Sequence, residues 1–340
     1  MTLRKLLAQF PIDPYILAIL ATVGVASLIP AHGAGATVTD AATNVAIALL
    51  FFLHGARLSP QAALAGARHW RLHVVTFLST FVLFPALGLA ARALVPGLLS
   101  PPLWTGVVLL CLLPSTVQSS IAFTSIAGGN VPAALCNASA SNLIGTVLTP
   151  ILASFLLARH GTTVSLHDIG DIVAQLLLPF AAGQGLRPWI GGWAQRHRSL
   201  VGVVDRGSIL LIVYAAFSAG MVHHIWGQLD VASLVTLLLV DASLLAIVLT
   251  VTSIVGRVLG FSREDQIPVI FCGSKKSLAS GLPMASVLFA GQSVGLIVLP
   301  LMLFHQLQLM VCAALARHYA SQAKDFSHRG ARHIQVAARA

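Results

Sequence analysis

The sequence contains very little charge. Of its 340 residues only 9% are Asp, Glu, Lys or Arg, and 57% are apolar. Soluble globular domains carry about a quarter charged residues, so this composition excludes a soluble domain. The strongly positive mean hydropathy predicts instead an all-α polytopic membrane protein.

Acidic residues are scarcer than basic ones, ten against twenty, which gives a formal net charge of +10. The basic residues are not gathered into patches interleaved with aromatic side chains, as they would be in a protein that binds nucleic acid. They lie between the apolar segments. The sequence therefore predicts no nucleic-acid partner and makes the lipid bilayer the main surrounding of the chain.

Metal-binding and enzyme motifs are also lacking. Cys111, Cys136, Cys272 and Cys312 lie in apolar runs without Cys-x-x-Cys spacing, which argues against a disulfide framework and a zinc site. The chain contains no His-Glu-x-x-His or P-loop motif and no carboxylate pair. We therefore expect neither an enzyme nor a bound cofactor.

Long apolar runs are what the chain has in abundance. A helix needs about 20 apolar residues to cross a hydrocarbon core of about 30 Å, and ten runs fit. They are residues 12–30, 41–57, 72–94, 103–127, 131–158, 169–189, 207–225, 231–256, 265–290 and 293–317. Polar residues and a proline interrupt the fourth and ninth runs, Pro114 in the fourth and Pro283 in the ninth.

The distribution of basic residues predicts the topology, because short cytoplasmic loops are rich in Lys and Arg. With the N-terminus inside, sixteen of the twenty basic residues fall on the cytoplasmic side, and only Arg92 and Arg159 fall on the other; the remaining two are Lys275 and Lys276. This bias favours ten spans with both termini cytoplasmic, in a membrane that we expect to be a bacterial inner membrane. A cleaved signal peptide over residues 1–34 is the alternative and would leave nine spans.

One feature recurs at half the length of the chain. The fourth span ends in Ala-Gly-Gly-Asn (127–130) and the ninth in Phe-Ala-Gly-Gln (289–292), and a long span follows each. Many secondary transporters consist of two inverted copies of one bundle. Because five is odd, a second five-helix copy must enter from the opposite side. We predict two inverted five-helix repeats, 1–160 and 161–320, and a solvated or disordered basic cytoplasmic tail, 321–340.

The fourth span carries the first candidate site. Its run from Pro114 to Ser120 joins a helix breaker to hydroxyl and amide side chains, which predicts an unwound segment at mid-bilayer. Half-helix N-termini favour anionic groups, and freed carbonyls coordinate cations. The candidate binding residues are Thr116, Gln118, Ser119 and Ser120. Alternatively, these side chains bond to their own helix or join neighbouring helices.

Other polar side chains inside the apolar runs extend this set. In the fifth span Asn137 and Ser141 share a helix face, and Asn142 follows; an amide in lipid is costly without a partner. Asp241 is the only acidic residue deep in a predicted span, and His305 in the tenth is a second group that could carry a proton. Intramembrane ionisable residues are functional candidates by default. The alternatives are a charge near a helix end for Asp241 and a packing residue for His305.

The ninth span raises the sharpest question. Its sequence VIFCGSKKSLASGLPMASVLF (269–289) places Lys275 and Lys276 side by side in an apolar run, where charged side chains are costly. Adjacent helical residues point about 100° apart, so we expect the two ammonium groups in different surroundings. Alternatively, the helix starts later and one or both side chains reach the membrane surface.

Two segments, LLPSTVQSSIAFTSIAGGNVPAALCNASASNLIGTVLTP (112–150) and FCGSKKSLASGLPM (271–284), resemble the bile acid:sodium symporter superfamily, in particular the SBF-like subgroup similar to sodium/bile acid cotransporter 7. The resemblance covers nearly the whole chain. It implies ten helices in an inverted repeat, with a panel domain of helices 1, 2, 6 and 7 and a core domain of helices 3 to 5 and 8 to 10. Discontinuous helices 4 and 9 would cross near the substrate and ion sites. The implied function is secondary active transport of an organic anion, a bile acid or another amphipathic acid, by alternating access.

Several positions depart from the pattern of the sodium-coupled members that the chain resembles. Ser119 and Ser120 stand where those members have Ser-Asn, and Cys272 and Lys276 stand where they have a glutamate and a glutamine. A glutamine of the third helix corresponds to Thr80. Sodium is a hard cation that needs oxygen ligands and negative charge. These departures weaken the case for sodium and leave protons as the other coupling ion.

The departures lead to a specific hypothesis. We expect one lysine ammonium to occupy the place of the metal cation, held by Ser119, Ser120, Asn137 and carbonyls of the crossing helices, where a sodium ion would otherwise bind. The other lysine is expected to face Asp241 or the substrate cavity. A channel or a non-transporting regulator of ion entry is the alternative function. Monomer and homodimer are both left open.

Overall fold

The computed structural model describes residues 14–57, 69–157, 166–222, 224, 229–290, 292 and 294–337. These residues form helices and short connections, and no β-strand occurs among them. The described part of the chain is therefore all-α, as the composition predicts.

Twelve α-helices follow one another in the described residues. They are α1 (Pro14–Leu28), α2 (Ala34–Arg57), α3 (Trp70–Leu94), α4 (Pro101–Leu112), α5 (Val117–Ile126), α6 (Val131–Leu157), α7 (Leu166–Arg196), α8 (Arg198–Val222), α9 (Val231–Val258), α10 (Arg263–Gly273), α11 (Leu278–Leu288) and α12 (Val294–Ala337). Helix α3 contains a π-helical turn, Ser79–Leu83, and a 3-10 turn, Pro96–Leu98, follows it.

Several of these helices can cross a membrane. Within the described ranges, α2, α3, α6, α8, α9 and α12 are long and apolar enough to do so, and α4 with α5 forms a further span that is bent by 61°. Large apolar side chains such as Leu94, Val203 and Val258 are exposed on the outside of the bundle, where lipid replaces water as the solvent. The chain is a multi-pass membrane protein.

Each predicted apolar run overlaps a helix or a pair of helices. The fourth run forms α4 and α5, and the ninth forms α10 and α11, so both predicted interruptions are present. The count of ten crossings and their arrangement as inverted repeats remain predictions. Gly291, part of the proposed match between the two halves, and the proposed boundary at residues 160 and 161 lie outside the described residues.

The position of the second interruption differs from the prediction. Pro283 lies inside α11, and the break is formed by Ser274–Ser277. The Ser277 hydroxyl caps α11 by accepting the Ser280 N–H. The break forms here because the backbone of these polar residues finds hydrogen-bond partners on other helices.

Of the two alternatives predicted for the C-terminal tail, residues 321–340, disorder is wrong as far as Ala337, and solvation stays a prediction. Helix α12 continues through this segment as far as Ala337. The segment contains no proline, and its alanine, arginine and glutamine residues favour helix. Nothing in its local sequence therefore stops the preceding helix.

Helices α1, α2, α7 and α8 pack on one another. The closest approach is between α2 and α7. A Cβ atom on Gly55 would lie 2.0 Å from the Phe180 carbonyl oxygen, and one on Gly183 would lie 1.9 Å from that of Phe52. Small residues allow two helix backbones to approach this closely inside a membrane.

The remaining helices pack around the two breaks, residues 113–116 and 274–277. Helix α4 is buried along almost its whole length and packs against α3 and α12, while α6 contacts α5, α10 and α11. Helix α12 also contacts α9 and α11. This packing brings together, in the interior, the ends of α4, α5, α10 and α11 that border the two breaks.

Candidate functional site

The two helix breaks lie against each other. The Ser277 N–H donates to the Pro114 carbonyl over 2.9 Å, and the Thr116 hydroxyl donates to the Lys276 carbonyl over 2.8 Å. Proline disfavours helical backbone in the residue before it, and Leu113 is accordingly extended, with ψ 154°. The two discontinuous helices therefore meet at their breaks.

Polar side chains of α6 hold the first break open. The Ser115 N–H donates to the Ser141 hydroxyl over 3.0 Å, and the Asn142 amide donates to the Ser115 carbonyl over 2.9 Å. Gly145 allows α6 to come this close, because a Cβ atom there would lie 2.5 Å from the Cβ of Pro114. Backbone groups freed by the break are thus satisfied inside the protein, as a non-helical segment at membrane depth requires.

Gln308 of α12 holds the second break. Its Oε1 accepts the Lys276 N–H and its Nε2 donates to the Lys276 carbonyl, both over 2.8 Å. The same Nε2 lies 2.8 Å from Nδ1 of His305. One amide side chain thus replaces the two backbone partners that Lys276 would have in a continuous helix. Gln308 was not among the predicted site residues; the signal was an amide side chain in the middle of an apolar run.

The Lys276 ammonium is surrounded as a small cation would be. The side chain is fully buried, and its Nζ donates to the carbonyl oxygens of Thr80, Cys111 and Leu113, each at 2.8 Å. Three acceptors match the three N–H donors of an ammonium group. At roughly 1.5–3 kcal/mol for each hydrogen bond to a charged group, they offset the several kcal/mol that burial of an ion costs.

Two prolines leave these carbonyls without partners in their own helices. In the π-turn of α3 the Phe84 N–H donates to the Ser79 carbonyl, and Pro85 has no N–H, so the Thr80 carbonyl is available to the ammonium. Pro114 ends α4 and frees the last carbonyls of that helix in the same way. The acceptors of the ammonium are therefore backbone atoms placed by proline.

Lys275 lies in different surroundings, although it is equally buried. Among the described residues its Nζ has no hydrogen-bond partner; it lies 3.9 Å from the ring centroid of Phe123 and 5.3 Å from that of Phe271. A desolvated cation–π contact contributes about 2 kcal/mol, less than the several kcal/mol that burial of an ammonium costs.

The alternative that these side chains reach the membrane surface is wrong for both lysines.

Asp241 does not pair with either lysine. It is fully buried in α9, and neither of its carboxylate oxygens has a hydrogen-bond partner in the described part of the chain. The prediction that the second lysine faces Asp241 is therefore wrong. The helical spacing of about 100° does not apply, because the backbone at Lys275 is not helical and Lys275 turns toward Phe123 of α5 instead.

The side chains predicted to hold the ammonium do not bond to it. The Ser120 hydroxyl donates to the Phe271 carbonyl over 3.3 Å, and the Ser119 hydroxyl has no partner among the described residues. Asn137 lines a cleft of about 230 Å³ between α3 and α6. The prediction named these side chains together with carbonyls of the crossing helices. The carbonyls of Cys111 and Leu113 do accept from the ammonium, with that of Thr80 in α3, whereas the three side chains do not. A pattern of residue types does not reveal which carbonyls are used.

The other predicted residues lie at or near the crossing. Thr80 contributes its backbone carbonyl, and the Cys272 thiol donates to the Ala134 carbonyl of α6 over 3.8 Å. Gln118 is exposed in the first turn of α5, where Thr116 makes no side-chain capping bond. That end of α5 therefore presents uncapped N–H groups to the outside of the core.

Comparison with known proteins finds similarity along nearly the whole chain. The model of the SBF-like CPA transporter family matches residues 13–321. The chain is 53% identical over 318 residues to the uncharacterized protein PA2026 of Pseudomonas aeruginosa, covering 93% of this chain and 96% of that protein. It is 50% identical over 314 residues to "Putative symporter YfeH" of Escherichia coli, covering 92% and 95%. It is 28% identical over 318 residues to sodium/bile acid cotransporter 7 of Mus musculus, covering 92% and 93%.

Proposed function

Because this chain belongs to the SBF-like CPA transporter family, we propose that it moves an organic anion across the membrane by alternating access. The resemblance to the bile acid:sodium symporter superfamily is confirmed by the family match and the named relatives, and the chain is a transporter rather than an enzyme. What it carries and how transport is driven are the content of the proposal.

The substrate is an amphipathic organic anion of the bile-acid kind. One relative is named a sodium/bile acid cotransporter. Helices α5 and α11 both begin at the crossing, so two positive helix ends lie there, where they favour negative charge. Thr116 and Gln118 are at least partly exposed at the start of α5 and would contact the acidic group.

One observation carries the proposed mechanism. The carbonyls of Thr80, Cys111 and Leu113 accept hydrogen bonds from Lys276 Nζ. These oxygens are the hard ligands that a sodium ion would need, and an ammonium tethered to the chain already uses them. We infer that Lys276 is a built-in cation that stabilises the crossing and that sodium does not bind at this place.

The architecture that goes with this proposal has ten spans in two inverted five-helix repeats. It is supported by the position of the breaks, since each half of the chain breaks its fourth run immediately before a long helix. The mutual packing of α1, α2, α7 and α8 supports a panel domain distinct from a core built around the breaks. Both termini are cytoplasmic in this proposal, and the membrane is a bacterial inner membrane.

Uptake into proteoliposomes tests the proposal. The purified protein is reconstituted, and uptake of radiolabelled taurocholate, cholate and a steroid sulfate is measured with sodium and proton gradients imposed separately. We expect saturable uptake with counterflow of at least one anion, at a rate that sodium does not change. Conductance without saturation would indicate a channel instead. Acceleration by sodium alone would contradict the role given to Lys276.

A further inference from the structure

Lys275 and Lys276 are a matched pair, because the same side chain occurs at adjacent positions with equal burial. They differ in what their nitrogen atoms contact. Lys276 Nζ has three carbonyl acceptors, whereas Lys275 Nζ has no acceptor among the described residues and lies against two rings. An ammonium needs acceptors for its three N–H groups, and a neutral amine does not need all of them.

The apolar cluster beside Lys275 explains this difference. It contains Ile267, Ile270 and Phe271 of α10, Ala127 after α5, and Cys312 and Ala316 of α12, with Phe123 and Tyr319 packed against it. Such surroundings favour the uncharged form of a buried base. Water is excluded on the side of the Phe123 ring, 3.9 Å from Nζ.

The titratable groups that face Lys275 Nζ do not compensate a positive charge. Helix α10 contributes the thiol of Cys272 and α12 the thiol of Cys312, and α5 contributes only the ring of Phe123. The phenol of Tyr319 lies one ring further away, packed edge-on against Phe271 at 6.4 Å. No carboxylate is among the groups that act on this amine in the described residues.

We propose that the Lys275 amine is the proton-binding site of the transport cycle, neutral in this conformation and protonated in the alternative one. The lone pair of Nζ accepts a proton from water on one side of the membrane and returns it on the other, with no other bond made or broken. An ammonium cannot be accommodated in the apolar cluster. Protonation therefore favours a different conformation of the break at residues 274–277, in which Nζ contacts hydrogen-bond acceptors or water. A ligand that binds one of two conformations more tightly shifts their populations, and here that ligand is the proton.

This inference rests on the proposed function and names its coupling ion. It assigns different roles to the two lysines: Lys276 is a fixed charge that joins α3, α4 and the second break, and Lys275 carries the exchangeable proton. An inward proton and an anion entering together also cancel each other's charge, which favours symport of the two.

The protonation states can be measured without any substrate. The chain has four lysines, Lys5, Lys275, Lys276 and Lys324, so the double variant Lys5→Arg/Lys324→Arg keeps only the pair at the break. With lysine labelled at the side-chain ¹⁵N, the Nζ chemical shift distinguishes an amine from an ammonium. We expect one signal of each kind at neutral pH, and loss of the amine signal on Lys275→Met in this background.

Two other spectra would overturn the proposal. Two ammonium signals at neutral pH would show that the apolar cluster does hold the charge, and two amine signals would show that Lys276 is not a fixed cation. Loss of the ammonium signal on Lys275→Met would overturn it as well, because the two lysines would then have exchanged roles. Lys275→Gln assigns the signals where Lys275→Met does not fold.

Transport then tests the coupling. In proteoliposomes an inward proton gradient should accelerate taurocholate uptake by the parent protein, and Lys275→Met should lose this acceleration, as should Lys275→Gln. An acceleration that persists in both variants would place the proton elsewhere. If no test anion is taken up, the proposed function fails, whereas the spectra of the parent protein and of the Lys275 variants still decide whether Lys275 is an amine.

Discussion

At the scale of single residues, the charge state of a buried lysine in this protein depends on its hydrogen-bond acceptors and not on how deeply it is buried. Lys276 and Lys275 are equally buried, yet only Lys276 is bonded to carbonyl oxygens. Removing one partner of a buried charged contact costs more than replacing an unbonded polar group by an apolar one. A substitution at Lys276 should therefore cost much more stability than the same substitution at Lys275.

Methionine at the two positions tests this directly. Lys276→Met leaves the Thr80, Cys111 and Leu113 carbonyls unpaired in the interior and should lower the free energy of unfolding by about 3–5 kcal/mol. Lys275→Met places an apolar chain of similar length among apolar groups and should change it by less than about 1 kcal/mol. Thermal unfolding in detergent, followed by circular dichroism, measures both. Equal losses would contradict the assignment.

Asp241 allows a second test at this scale. Its carboxylate oxygens have no hydrogen-bond partner among the described residues, so Asp241→Asn removes no bond and should leave the unfolding temperature nearly unchanged. Asp205→Asn is the matched control, because the Asp205 carboxylate forms an ion pair with Arg57 and its loss should lower that temperature. A larger loss at Asp241 than at Asp205 would mean that the buried carboxylate is ionised and paired.

At the scale of single elements, each helix break depends on a side chain from another helix. Gln308 bonds both backbone groups of Lys276, whereas Gln306, two residues earlier, has no hydrogen bond to the break. An unpaired buried backbone group costs about 1–3 kcal/mol. Gln308→Leu should therefore lower the free energy of unfolding by about 2–5 kcal/mol, and Gln306→Leu should have a small effect. Similar thermal shifts in the two variants would show that the break does not depend on this amide.

The start of α9 depends on Asp230, whose carboxylate accepts the Ser233 N–H over 2.8 Å. The hydrogen bonds from Ser233 hold the pKa of Asp230 below its usual value of 3.8. The stabilisation is therefore present above the carboxyl pKa of the unfolded chain and is lost as the pH falls through the lower value of the folded chain. Asp230→Ala should lower the unfolding temperature at pH 7, and the difference from the parent protein should shrink towards about pH 3. A difference that does not depend on pH would exclude the capping bond as its cause.

At the scale of the whole molecule, the proposed two inverted repeats of five spans would place the middle of the chain on the opposite side of the membrane from both ends. A green fluorescent protein fused after Ala340 should fluoresce in bacteria, because that protein matures in the cytoplasm. Alkaline phosphatase fused after residue 160 should be active, because it needs the periplasm. Fluorescence after Ala340 together with inactive alkaline phosphatase after residue 160, or the reverse, would place both positions on the same side and contradict an odd number of spans in each repeat.

Much of the fold follows from local sequence. Apolar runs of sufficient length, Pro114 with its polar neighbours and the lysine pair indicate membrane helices, two interruptions and buried charge, because each is a property of a short segment. The exact second break does not follow, since Pro283 is the stronger local signal and yet lies within α11. The helical backbone of residues 321–337 does not follow either, because a polar composition indicates solvation but does not stop a helix.

The sequence by itself determined that this protein lies in a membrane, that it is helical and that two of its helices are interrupted, since hydropathy and helix propensity act over neighbouring residues. The tertiary structure alone decided which lysine is bonded and by what. The acceptors of Lys276 are backbone carbonyls of segments more than 160 residues away along the chain. Every residue has such a carbonyl, so only the packing of distant helices determines which three point at the ammonium.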